Sequence, residues 1–136
     1  MYNINVLKEG IEMKWLIVLF MSLLAGCSMN YEPEDVIQAN QGSMIYGVSD
    51  YMYFMNDVKV LDMVVEDYDS LVLSLTEQEI DFMNAIQLDL KNKEDKINRI
   101  WLDQHGIYHI NNQNYTKVKG TLTFDKLKKL YDESKK

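Results

Sequence analysis

Apolar residues fall into distinct patterns along the chain. Trp15 to Leu24 is an unbroken apolar run of ten residues apart from Ser22. The patterns after it are segmented. Glu32-Pro33-Glu34-Asp35, with proline early and acids in the first turn, predicts a short helix through Val36, Ile37 and Ala39. Gly42 and Gly47 interrupt the next stretch. About Ser49, a candidate N-cap, Val48, Tyr51, Met52, Met55, Val58 and Leu61 recur at helical spacings; Val60 to Val65 is β-branched enough to form a strand instead, but helix is favoured. Thr76-Glu77-Gln78-Glu79 has the form of a capping box, and Ile80, Met83, Ile86, Gln87 and Leu90 mark one face of a helix after it. The character changes past Lys96. Ile97 to Asp103 and Ile107 to Ile110 predict a β-hairpin about Gln104-His105-Gly106. Asn111 to Asn114 is a polar turn, and Tyr115 to Leu122 a possible third strand. Thr123 then caps a last helix, with Phe124, Leu127, Leu130 and Tyr131 facing inward. The expected fold is α+β: N-terminal amphipathic helices, a two- or three-stranded antiparallel β-meander and a C-terminal helix.

The N-terminal run has a different meaning. Lys14 gives a positive start, Trp15 to Leu24 an apolar centre, and Ala25 and Gly26 a small-residue end. That is the tripartite secretory signal, too short to span a bilayer as a mature helix. Its last four residues, Leu24-Ala25-Gly26-Cys27, resemble the lipobox of bacterial lipoproteins. The resemblance implies cleavage just before Cys27, a diacylglyceryl group on its thiol, and acylation (palmitate-like chains) of the new amine. Several acyl chains, at roughly 0.8 kcal/mol per buried CH₂, would make the anchor effectively permanent. Cys27 is the only cysteine, so lipidation would leave an exported domain with no free thiol and no disulfide.

Residues 1–12 fit this poorly, because Glu9 and Glu12 are out of place in a short basic leader. Lys8-Glu9-Gly10 can be encoded with a purine-rich ribosome-binding sequence ahead of Met13, which suggests a start at Met13. The expected organisation is a mis-assigned start over 1–12, a signal peptide over 13–26, the lipidated cysteine and a short tether over 27–33, and a small α+β domain over 34–136.

Composition narrows the picture. Hydrophobic residues make up 47%, too many for a disordered chain of net charge −7. The charge is divided unevenly: Cys27 to Leu90 carries thirteen carboxylates against Lys59 alone, net −12, and Lys91 to Lys136 is net +5. Acid packing against base within one domain is the plain account; a charged surface for an oppositely charged partner is the alternative. The abundance of Lys, Asn, Tyr and Met points to an A/T-rich gene of bacterial, phage or plasmid origin.

Candidate chemistry is sparse. Asp103, His105 and His109 are metal-ligand types, but zinc needs three or four converging ligands and spacing supplies no more. Glu66-Asp67-Tyr68-Asp69 lacks the central glycine of a calcium loop and reads as solvated acids at a helix end. There is no nucleophile-elbow motif and no phosphate-binding glycine loop. No enzymatic activity, cofactor, metal or nucleic-acid partner is expected. The unusual feature is the Tyr/Met-rich stretch from Tyr46 to Met63. Tyr51, Tyr53, Phe54 and Met55 are too close together for one helix to bury them all, so they are the candidate partner surface.

The expectation is a membrane-anchored, extracytoplasmic lipoprotein, acting as a non-enzymatic accessory factor that holds or blocks a protein at the cell envelope (pilot, exclusion or assembly type). The alternatives are the outer-membrane lipoprotein subunit of a phage spanin and an inhibitor of a cell-wall hydrolase. Ser28, in place of aspartate after the lipidated residue, resembles outer-membrane sorting in a Gram-negative host.

Overall fold

The computed structural model describes residues 30–33 and 39–136. Among these the fold is α+β: one eight-stranded antiparallel sheet and two helices, one of them C-terminal. The strands are β1 (Asn30–Tyr31), β2 (Ala39–Tyr46), β3 (Met52–Phe54), β4 (Val72–Leu75), β5 (Ala85–Asn92), β6 (Ile97–Asp103), β7 (Ile107–Ile110) and β8 (Gln113–Lys119). The helices are α1 (Val58–Asp69) and α2 (Phe124–Ser134). The order across the sheet is β1-β4-β8-β7-β6-β5-β2-β3. Its centre is a meander of consecutive strands, β5 to β8. Strands from earlier in the chain flank it on both sides.

Two or three strands were therefore too few, for a definite reason. The helix expected from Thr76 to Leu90 does not form. Thr76 Oγ1 accepts from the Gln78 amide at 3.2 Å, a local turn rather than a cap. A 3₁₀ turn, Phe82–Asn84, leads into β5. Ile86 and Leu90 are four residues apart, a spacing shared by a helix and by two strand repeats. Leu88 breaks the tie, because Ile86, Leu88 and Leu90 are all fully buried while Gln87, Asp89 and Lys91 alternate with them on the other face.

The helix expected across Tyr51 to Leu61 starts late. Ser49 is not its cap; its hydroxyl accepts from the Tyr51 amide in a turn. β3 follows, and α1 begins only where Asp57 accepts from the Lys59 amide at 2.9 Å. Residues 34–38 of the first expected helix lie outside the described residues, and Ala39 already belongs to β2.

The remainder agrees in kind, except that the third expected strand, β8, runs from Gln113 to Lys119 and takes in Gln113 and Asn114 of the expected turn. The hairpin β6–β7 turns at Gly106 (φ +83°). Asn111 and Asn112, both at positive φ, turn β7 into β8. Thr123 caps α2 by accepting from the Lys126 amide.

Both helices pack on one face of the sheet. Met44, Ile86, Leu88, Leu90, Ile100 and Leu102 meet Leu61, Val64 and Tyr68 of α1 and Leu127 and Tyr131 of α2 in a single cluster. α1 lies close on β2: a Cβ on Gly42 would stand 2.9 Å from Leu61 Cδ1, so glycine is what allows that approach. At its other end α1 is tied to α2. Asp67, buried, accepts from Thr121 Oγ1 and from Lys126 Nζ at 3.0 Å. One of the acids expected to be solvated is thus an internal link. It joins the acidic half of the chain to the basic half, as Asp89 with Arg99 does elsewhere.

Tyr108 shows the core titrating. Its hydroxyl donates to the Leu122 carbonyl at 2.6 Å, and burial pushes its pKa up to about 12. In the unfolded chain it would ionise near 10. Its contribution to stability is therefore complete below about pH 10 and is lost as pH rises toward about 12, by on the order of 2 kcal/mol. Denaturant titrations in that window should show a smaller alkaline loss for Tyr108→Phe than for the wild type.

The other face of the sheet is partly covered by chain. β4 and β5 are separated by three strands, and their connection crosses the face to join them. Gln78 accepts through its carbonyl from Asn114 Nδ2 at 3.1 Å, and the Asp81 amide donates to Asp103 Oδ2 at 3.0 Å. Phe82 then lands edge-on against His109 and Trp101, at ring separations of 5.0 and 5.7 Å. Among the described residues, no helix is long and apolar enough to cross a membrane.

Candidate functional site

The residues expected to form a partner surface separate along β3 by strand alternation. Tyr53 pairs with Met44 and packs toward the core, and burial pushes its phenol pKa up. Met55 is buried. Tyr51 turns to the C-terminal helix, with its hydroxyl on Ser134 and its ring edge-on to Tyr131 at 5.4 Å. Phe54 points the other way and is 62% exposed, with Met52 beside it on the same face. Of the four candidates, only Phe54 presents most of its ring to solvent. The lipobox residues Leu24, Ala25, Gly26 and Cys27 lie outside the described residues.

Phe54 stands between two recesses. On the open face of the sheet it faces Ile97, and a cavity of about 170 Å³ between them is floored by Gln41, Gly42 and Ser43 and bordered by Asp89 and Lys91. On the edge side a larger recess of about 530 Å³ runs past Asn40, Gln41, Met55, Asn56, Val58 and Leu61. Phe54, Ile97 and Val58 are all at least half exposed. Of these, sequence reasoning missed Ile97 and Val58 as surface residues. The signal available for Ile97 was the period of two that sets it with Arg99 and Trp101, opposite the buried Ile100 and Leu102, while the helical spacing hid Val58.

The backbone there is unfinished as well. β3 pairs with β2 only from Ser43 to Ile45, and the Met55 amide adds one bond to the Gly42 carbonyl at 2.9 Å. β2 runs on to Ala39. Among the described residues it is paired there on the β5 side alone. An apolar side chain next to an open strand edge is the arrangement that accepts an extended segment from another chain.

The charged groups bordering the smaller cavity are already engaged. Arg99 grips Asp89 with two bonds, at 2.7 and 2.8 Å, and this hydrogen bonding holds the guanidinium pKa above its usual value. Arg99 also lies over the Trp101 ring at 5.7 Å. Lys91 pairs with Asp95 at 3.1 Å.

The histidine stretch is structural in its contacts. The Asp103 carboxylate accepts from three backbone amides, those of Asp81, His105 and Ile107. His109 Nδ1 lies 2.6 Å from Asn114 Oδ1. Among the described residues, no three His, Cys, Asp or Glu side chains converge as a metal site would require. No known protein family, curated protein sequence or solved structure matches the chain.

Proposed function

We propose that this chain is a bacterial lipoprotein, anchored through lipid on Cys27, that binds a protein partner at the cell envelope without catalysing a reaction. The observation that carries the reading is Leu24-Ala25-Gly26-Cys27, placed at the end of an apolar run and holding the sole cysteine. The partner surface is assigned to Phe54 and its two recesses. A large exposed aromatic side chain beside open strand edge supports that choice. In a Gram-negative host the address is the outer membrane; in a Gram-positive host it is the outer face of the cytoplasmic membrane.

The test fractionates cells expressing the full chain. Wild-type protein should partition into membranes and label with a fatty-acid analogue, and Cys27→Ser should do neither. Cross-linking on intact cells should then recover a partner with the wild type. Phe54→Asp should reduce that recovery at least about tenfold, a loss of about 1.4 kcal/mol in binding. Its folding stability should stay within about 0.5 kcal/mol of the wild type, because the side chain is exposed. Unchanged recovery with Phe54→Asp would remove the surface assignment, and a membrane-bound Cys27→Ser would remove the anchor.

A further inference from the structure

Part of the stretch expected to be a free tether belongs to the sheet. Asn30 pairs with Ser74 and Tyr31 with Leu73, and the Tyr31 ring stacks on Tyr115 at 5.0 Å. Only Ser28 and Met29 lie between Cys27 and Asn30. Whatever conformation they take, three Cα–Cα steps reach no more than about 11 Å. We infer that the β1–β4 edge of the sheet rests directly on phospholipid headgroups, with Leu75 entering the interface. The inference rests on the lipid anchor proposed for Cys27.

The argument is one of reach. A diacylglyceryl group places its cysteine at the headgroup level. The headgroup layer is itself about 5–8 Å deep on each side of the hydrocarbon. With Asn30 held within about 11 Å of that cysteine, the end of the edge where it pairs with Ser74 cannot stand clear of the membrane surface. The residues around it suit that position. Leu75 follows Ser74, the partner of Asn30, and is 49% exposed. Tyr31 shares a small cleft with Lys96, Asn98 and Asn111. An aliphatic side chain, a tyrosine and a lysine are the types found where protein meets headgroups. Glu32, exposed next to Tyr31, carries the opposite charge to that lysine. The contact is therefore set by the tether and Leu75, with no need for anionic lipid.

The sheet has a second edge, β3, at the far end of the strand order. The same chain thus gives its two edges different roles: β1–β4 toward lipid, and β2–β3 with Phe54 toward a partner.

The experiment uses the full lipidated protein in vesicles of phosphatidylethanolamine and phosphatidylglycerol whose headgroups carry a fluorescence quencher. Because lipid would occupy the one native thiol, Leu75→Cys introduces the only reactive one, and Phe54→Cys serves as its counterpart at the other edge. Both native side chains are exposed, so neither replacement disturbs the core. A fluorophore at position 75 should be quenched several-fold more strongly than one at position 54. Inserting about ten Gly/Ser residues after Ser28 should abolish the difference by letting the domain drift. Equal quenching at both positions, in protein that stays with the vesicles, overturns the orientation and leaves the anchor standing. A position 75 label shielded in a concentration-dependent way, without quenching, overturns it in favour of a second copy on that edge. Soluble protein whose Cys27 still reacts with maleimide overturns the anchor, and the orientation with it.

Discussion

Replacing Asp103 with alanine should destabilise the fold by about 3–5 kcal/mol, although the residue is only the last of its strand. Asp103 is fully buried. Its Oδ1 accepts from the amides of His105 and Ile107, both at 2.9 Å, and its Oδ2 from that of Asp81 at 3.0 Å. Removing the carboxylate strands the buried Ile107 donor, at about 1–3 kcal/mol, and takes charge-assisted bonds from the part-buried amides of Asp81 and His105. It also cuts the link between the β6–β7 turn and the connection that crosses the open face. Asp103→Asn keeps one oxygen for the turn but sets an amide NH₂ against the Asp81 N–H, so its loss should be intermediate. Urea denaturation followed by circular dichroism measures both. A loss below about 1 kcal/mol for the alanine variant would mean that water replaces the carboxylate, and the burial argument would fail. Domains of this size have only about 5–15 kcal/mol to lose.

Tyr131→Ala should cost a similar amount, about 3–5 kcal/mol, and its consequences should be local to one corner of the molecule. Tyr131 is fully buried. Its hydroxyl donates to the Tyr51 carbonyl at 2.6 Å and lies 3.0 Å from Ser49 Oγ. Its ring meets Tyr46 and Tyr51, with Lys135 Nζ 4.5 Å from the ring centre. The contact docks α2 against the segment leading into β3. Tyr131→Phe keeps the ring and loses the hydrogen bonds, so about 1–2 kcal/mol is expected. Hydrogen exchange separates the two roles. In the alanine variant, amides of α2 and of the Ser49–Tyr53 segment should lose protection before those of the β5–β8 meander. Uniform loss across the sheet would show that α2 is no separate unit.

Legibility in the sequence followed how local the determining interactions are. The hairpin about Gly106, the polar turn at Asn111 and Asn112 and the Thr123 cap depend on neighbours in sequence, and the structure has all of them. β5 was missed because its partners, β2 and β6, cannot be seen from Thr76-Glu77-Gln78-Glu79, which favours a helix only when nothing pairs with the residues beyond. β3 was missed because Tyr51, Met52, Met55 and Val58 satisfy a helical spacing by accident, while the positive φ of Gly47 and the Asp57 cap divide the segment. β1 was missed because two residues carry no periodicity at all. The candidate surface suffered the same error. Four neighbours were grouped by composition, and strand alternation sent Phe54 outward while Tyr53 and Met55 turned in. Asp67 could not be told from its solvated neighbours, because Thr121 and Lys126 lie more than fifty residues away.

The strand order also bears on how much of the polypeptide must exist before any of it is a sheet. Ahead of residue 85, the available pairings are β1 with β4 and β2 with β3, two small ribbons that do not touch each other through hydrogen bonds. β2 waits for β5, and β4 waits for β8, which ends at Lys119. A message truncated anywhere before β8 therefore does more than shorten the product. It removes the seam that joins the strand nearest Cys27 to the rest, leaving β1 and β4 as a two-stranded ribbon with no sheet to join.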